Sequence, residues 1–137
     1  MARLGPYLPQ SFPVRRLRAC VADDQHLVRV RKICMGFPEV TEVMQFGSPC
    51  WKAGKKTFAW YGAEGGGPGC SFNLDIGTQA ELVKDPRFKP SHYVGQHGWT
   101  NMRFAGKVDW DEIAQLCEDA YRKVALKRMV AQLDASP

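Results

Sequence analysis

Residues 46–58 constrain this chain more than any other stretch. Phe46, Gly47, Ser48, Pro49, Cys50 and Trp51 lead to Gly54, Lys55 and Lys56, and then to Thr57 and Phe58. Two short strand-like runs about a Gly-Lys-Lys turn imply an antiparallel hairpin, because parallel strands need a long crossover. A further aromatic strand is expected downstream, from Gly98 through Trp99 and Met102 to Phe104.

The rest of residues 40–75 carries the same strand signature. Val40, Glu42, Met44 and Phe46 alternate with Thr41, Val43 and Gln45, and Cys70, Phe72 and Leu74 alternate with Ser71 and Asn73. Glycine and proline clusters at residues 47–49, 54–56 and 62–69 punctuate them, so a meander of three or four strands is expected, the last cluster being a flexible hairpin loop. Before it, Leu27, Val30 and Cys34 recur at helical spacing behind Asp23 and Asp24, which predicts a helix over 24–36 stopped by Gly36 and Pro38. Thr78 followed by Glu81 has the form of a capping box, with Asp85 and Pro86 ending a short helix. Asp109 and Glu112 form a similar pair before a long amphipathic helix. Its apolar face is Ile113, Leu116, Cys117, Ala120 and Val124, and it is expected to run to about Leu133. Acids in the first half of that helix and bases in the second complement its dipole, so those charges need no ligand. The reading is α+β: one antiparallel sheet with helices packed on one face, in the order α-β-β-β-α-β-β-α. The domain is placed at residues 23–137, behind an irregular basic extension over 1–22.

Composition narrows the function more by exclusion than by assertion. The chain has 137 residues, 45% hydrophobic and 24% charged, as in an ordinary globular domain. No apolar run approaches the ~20 residues a membrane span needs, no secretory leader is expected from the N-terminal pattern, and a cytoplasmic location is the expectation. The five cysteines, Cys20, Cys34, Cys50, Cys70 and Cys117, form no C-x-x-C pair and are expected as reduced, mostly buried thiols. Cys50, two residues from Lys52, is the one candidate for a thiol activated by a cationic neighbour. The net charge of +5 lies in residues 1–32, and residues 33–137 balance. Within residues 46–107, however, eight basic side chains face four acids.

The order of elements, with Phe37, Pro38 and Glu39 after the first helix, Gly47, Ser48 and Pro49, then Lys55 to Phe58, the Trp99 strand and Ala120, Tyr121 and Arg122, resembles the MmcQ/YjbR-like family. The resemblance covers residues 24–133. It implies a small α+β fold related to the frataxin-like sandwich, likened to a double-wing DNA-binding module, in a family whose biochemical role is largely unassigned. The chain departs from the family pattern in the second lysine of Gly54-Lys55-Lys56-Thr57 and in the long glycine loop, both at wing positions.

No catalytic constellation is visible. Gly54-Lys55-Lys56-Thr57 resembles the end of a phosphate-binding loop, but Pro49 stands where the motif needs glycine and no helix follows. The glycines at 65–69 do not open a helix, so no dinucleotide cradle is formed. His92 and His97 lack a third ligand at metal spacing, and neither cofactor nor metal is expected. The leading expectation is a nucleic-acid-binding module with DNA as partner. Lys52, Lys55 and Lys56 would contact phosphate on one wing and Arg87 and Lys89 near a second, with Trp51 or Trp60 available for stacking on an unpaired base. The alternative is a small-molecule or protein-interaction domain using the sheet face or the loop at residues 92–97. An enzyme is the third reading.

Overall fold

The computed structural model describes residues 24–135; the extension expected over 1–22 lies outside them. Helix α1 (Gln25–Met35) begins at Asp24, whose Oδ1 accepts from the backbone N–H of His26 at 2.9 Å and of Leu27 at 3.2 Å. The other carboxylate oxygen accepts from the Tyr61 hydroxyl at 2.6 Å, tying the helix start to the sheet. Burial, and then Asp24 itself, push the Tyr61 phenol well above its ordinary range.

Four strands follow: β1 (Val40–Gln45), β2 (Ser48–Ala53), β3 (Lys56–Tyr61) and β4 (Gly69–Asn73). After them come α2 (Ile76–Leu82), β5 (Phe88–Pro90), a 3₁₀ turn (Gly95–His97), β6 (Trp99–Arg103), α3 (Trp110–Val124) and α4 (Lys127–Ala135). All neighbours pair antiparallel in the order β1-β2-β3-β4-β6-β5. The architecture is the expected α+β sheet with its main helices on one face. It has one more strand before α2 than the expected order, and the C-terminal helix is divided.

Local chemistry explains the other differences. Thr78 is inside α2 and caps nothing; the helix starts after Asp75, whose side chain makes no cap hydrogen bond. The C-terminal helix breaks at Ala125, which turns to an extended conformation (φ −68°, ψ 149°). The break lets α4 fold back, where Met129 joins the core and Glu39 accepts from Arg128 and Gln132. Asp109 caps α3 as expected, accepting from the N–H of Asp111 and Glu112. Glu112, however, does not reach back to the cap: it binds Arg87 across the fold. The glycine loop is held rather than loose, since Arg103 donates to the carbonyls of Glu64 and Gly66 and Asn101 accepts from the Glu64 N–H.

The period-two geometry of strands gives the sheet two unlike faces. One carries Trp51, Ala59, Phe72 and Met102 against Leu27, Val30 and Cys34 of α1 and Ile113, Cys117 and Tyr121 of α3. Burying each large side chain in that layer stabilises the fold by roughly 1.5–3 kcal/mol. The opposite face carries a row in register across all six strands: Val43, Cys50, Trp60, Ser71, Asn101 and Lys89. At about 4.8 Å per strand, that row extends for roughly 24 Å.

Candidate functional site

The face opposite the helices holds a cleft of about 620 Å³. Its floor is Trp60, Ser71, Asn73, Trp99 and Asn101, and its walls include Lys56, Glu64, Ser91 and His92. Aromatic groups gather around it. Phe46 and Gly47 form the two-residue β1–β2 turn, both at positive φ (51° and 81°), as a type I′ hairpin turn demands. Asparagine or glycine normally fills the first of those positions, so a phenylalanine there sits in a strained conformation. Its ring stacks on Trp60, with centroids 5.7 Å apart and planes 16° from parallel. On the loop at residues 91–94, Tyr93 is a second exposed aromatic at positive φ (67°), meeting the His92 ring edge-on at 4.7 Å.

The polar lining is mostly spoken for. Asn101 Oδ1 accepts from the Glu64 N–H at 3.1 Å, and its Nδ2 donates to Gly62 O at 3.2 Å and to Ser71 Oγ at 2.7 Å. Asn73 Oδ1 accepts from Lys123 Nζ at 2.8 Å. Glu64 Oε2 accepts from the His92 N–H at 2.8 Å, which binds the glycine loop to the loop after β5. Ser91 differs in being buried: it is 8% exposed, and its hydroxyl has no hydrogen-bond partner among the described residues.

The expected phosphate contacts distribute unevenly. Lys52, Lys55 and Lys56 share the β2–β3 hairpin, where Gly54 supplies the positive φ (67°) of the turn, and Lys56 lines the cleft. Lys89 lies on β5, the far edge strand, four strand spacings or about 19 Å from β2. Arg87 is engaged elsewhere. Its guanidinium donates to Asp85 and to Glu112 at 2.8–3.2 Å, and those bonds, Asp85 first, raise its pKa while lowering that of Asp85.

The two tryptophans also part company. Trp51 is fully buried and donates its indole N–H to Glu42 at 2.9 Å, so it has no face to offer a ligand. Trp60 is half-buried in the cleft floor. The thiols Cys34, Cys50, Cys70 and Cys117 are buried and free. At Cys50 burial outweighs the nearby Lys52 and raises the thiol pKa, the opposite of activation.

Phe46, Glu64 and Ser91 are not among the site residues that the sequence suggests. The alternation at residues 70–74 did place Ser71 and Asn73 on one face. Which face lay open depended on register, which the turn and a bulge between Trp51 and Lys52 set.

A search of the curated proteins finds no match to this chain. Its fold is similar to that of Deinococcus radiodurans protein DR2400, whose crystal structure is described by a DUF419 domain. The TM-score is 0.62 at 18% identity, covering 78% of this chain and 86% of that one. The YjbR family model matches residues 35–123, from the end of α1 through nearly all of α3. This span takes in the whole sheet and the cleft, and the chain belongs to the YjbR family.

Proposed function

We propose that the protein is a cytoplasmic binding module for single-stranded nucleic acid, DNA foremost, that receives unpaired bases on the open face of its sheet. The observation that carries this reading is the cleft with Trp60 and Trp99 in its floor and Phe46 stacked at one end. Aromatic faces accept any base and are worth about 1–3 kcal/mol per stacked base. Lys52, Lys55 and Lys56 on the adjoining hairpin, with Lys89 at the other end of the row, are the proposed phosphate contacts. Arg87 is not among them, since binding phosphate would mean leaving two carboxylates. No helix among the described residues is long and apolar enough to cross a membrane.

Anisotropy of labelled single-stranded and duplex DNA, titrated at several salt concentrations, tests the reading. Single strands are expected to bind more tightly than duplex, and to do so equally after removal of residues 1–22. Lys55→Glu with Lys56→Glu is expected to flatten the slope of log K against log salt by about 1.4, at ~0.7 per phosphate contact. Absence of binding at low salt, or binding lost with the tail, overturns it. The cleft volume also falls within the 300–1,000 Å³ typical of small-molecule sites, which favours a free flat-ring ligand as the second reading.

A further inference from the structure

We propose that the cleft selects bases bearing an exocyclic amine (adenine, cytosine or guanine) over thymine, with Glu64 and Ser91 reading the base edge beside Trp99. The proposal rests on the base-binding reading above and adds its selectivity.

Three side chains meet at one corner of the cleft. The Ser91 N–H donates to Trp99 O at 2.9 Å, which continues the β5–β6 pairing and sets Ser91 beside the indole platform. Glu64 reaches the same corner, because its Oε2 accepts from the N–H of His92, the next residue. Its other oxygen, Oε1, has no partner among the described residues. The Ser91 hydroxyl is buried yet unpaired, an arrangement that costs free energy unless a partner arrives. Asn73 and Asn101, which would read either kind of base edge, are held by protein partners. At this corner the Glu64 carboxylate offers only acceptors and the Ser91 hydroxyl both donates and accepts.

Such a corner is not neutral towards base chemistry. A carboxylate takes a hydrogen bond from an exocyclic amine, as in acidic side-chain contacts to cytosine. Thymine presents a single ring N–H flanked by two carbonyl oxygens, and a carboxylate approaching it meets repulsion on both sides. The hydroxyl completes the contact by donating to the adjacent ring nitrogen or carbonyl.

The test compares labelled 12-mers of dA, dC and dT by anisotropy at one salt concentration. The wild-type chain is expected to bind dA and dC about tenfold more tightly than dT, the lower end of the discrimination one good edge contact provides. Glu64→Gln keeps an oxygen for the His92 N–H and turns the free position into a donor. It is expected to erase the dC-over-dT preference with no change in melting temperature. Ser91→Ala is expected to weaken dC several-fold and leave dT unchanged. Equal or tighter dT binding by the wild type overturns the proposal, as does an unchanged dC:dT ratio in Glu64→Gln. If no oligonucleotide binds, the strand reading fails separately, and cytidine and thymidine are titrated against tryptophan fluorescence. Quenching by cytidine alone supports the selective corner with a free nucleoside as its ligand, and quenching by neither overturns it.

Discussion

Phe46 stacks on Trp60 with an offset, centroids 5.7 Å apart and planes 16° from parallel, while remaining 94% exposed. An aromatic pair contributes about 0.5–1.5 kcal/mol when buried, but Phe46 keeps nearly all of its surface in water and gains less. It does so from a turn position where a non-glycine residue costs roughly 1–2 kcal/mol. The local chain therefore holds the ring beside Trp60 at little or no net gain in stability.

Replacing Phe46 with Asn, the residue the turn prefers, relieves the strain and removes the ring. Thermal unfolding is expected to stay within a few degrees of wild type or to rise. Affinity for a single strand is expected to fall by about tenfold, one base stack. A marked loss of stability would show that the ring serves the fold.

The two tryptophans on neighbouring strands are expected to behave oppositely. Trp60→Leu should leave stability within about 1 kcal/mol and reduce ligand-induced fluorescence quenching to the part that Trp99 supplies, since both indoles line the cleft floor. Trp51→Phe should cost roughly 1–3 kcal/mol, because it leaves the Glu42 carboxylate short of a donor, and should spare binding. Urea unfolding and anisotropy on both variants separate the roles.

The contrast also marks how far the sequence is legible. Helix α1, the strands about the Gly54 turn, the Trp99 strand and the Asp109 cap follow from periodicity and turn chemistry, which act over a few residues. The division of the last helix at Ala125 does not, because neither glycine nor proline marks it and tertiary contacts of Met129 and Arg128 with the rest of the fold decide it. The lysines of the hairpin were visible as charges, but Arg87 is held by Glu112, twenty-five residues away, as well as by Asp85 two residues away, and only the nearer partner lies within local reach. Ser91 was invisible as a site residue, since its significance is a missing partner, which only three-dimensional packing reveals.

Glu42 sets an acid-sensitive element of stability. Two hydrogen bonds from Arg31, opposed by partial burial and helped by the Trp51 N–H, hold its carboxyl below the ordinary value of 4.5. The unfolded chain, with the ordinary value, therefore takes up the proton first as pH falls. The contribution is complete above about pH 5 and drains away as pH drops through the depressed folded value. Glu42→Gln is expected to cost roughly 2 kcal/mol at pH 7 and to flatten the decline of stability below pH 5, read by urea unfolding from pH 3 to 7. A decline as steep as in wild type would place the acid sensitivity on other carboxylates.

Lys123 braces the site from the helical side. Its ammonium, near the C-terminal end of α3, donates to Asn73 Oδ1 at 2.8 Å, Leu74 O at 2.7 Å and His97 O at 2.8 Å. Those three oxygens belong to the end of β4 and the turn leading into the Trp99 strand, so one cation joins both halves of the cleft floor to the core helix. Beside it Gly98 sits at φ 99°, where any side chain would collide with the Leu74 carbonyl. Lys123→Met keeps the aliphatic stem and removes the donors. It is expected to cost about 1–2 kcal/mol, discounted for the partial exposure of the group, and to speed hydrogen exchange at the Leu74 N–H, which donates to Gly98 O at 3.0 Å. Affinity should fall with it, because Trp99 and Ser91 inherit their position from that turn. Exchange that quickens without loss of affinity would place the binding surface elsewhere on the sheet.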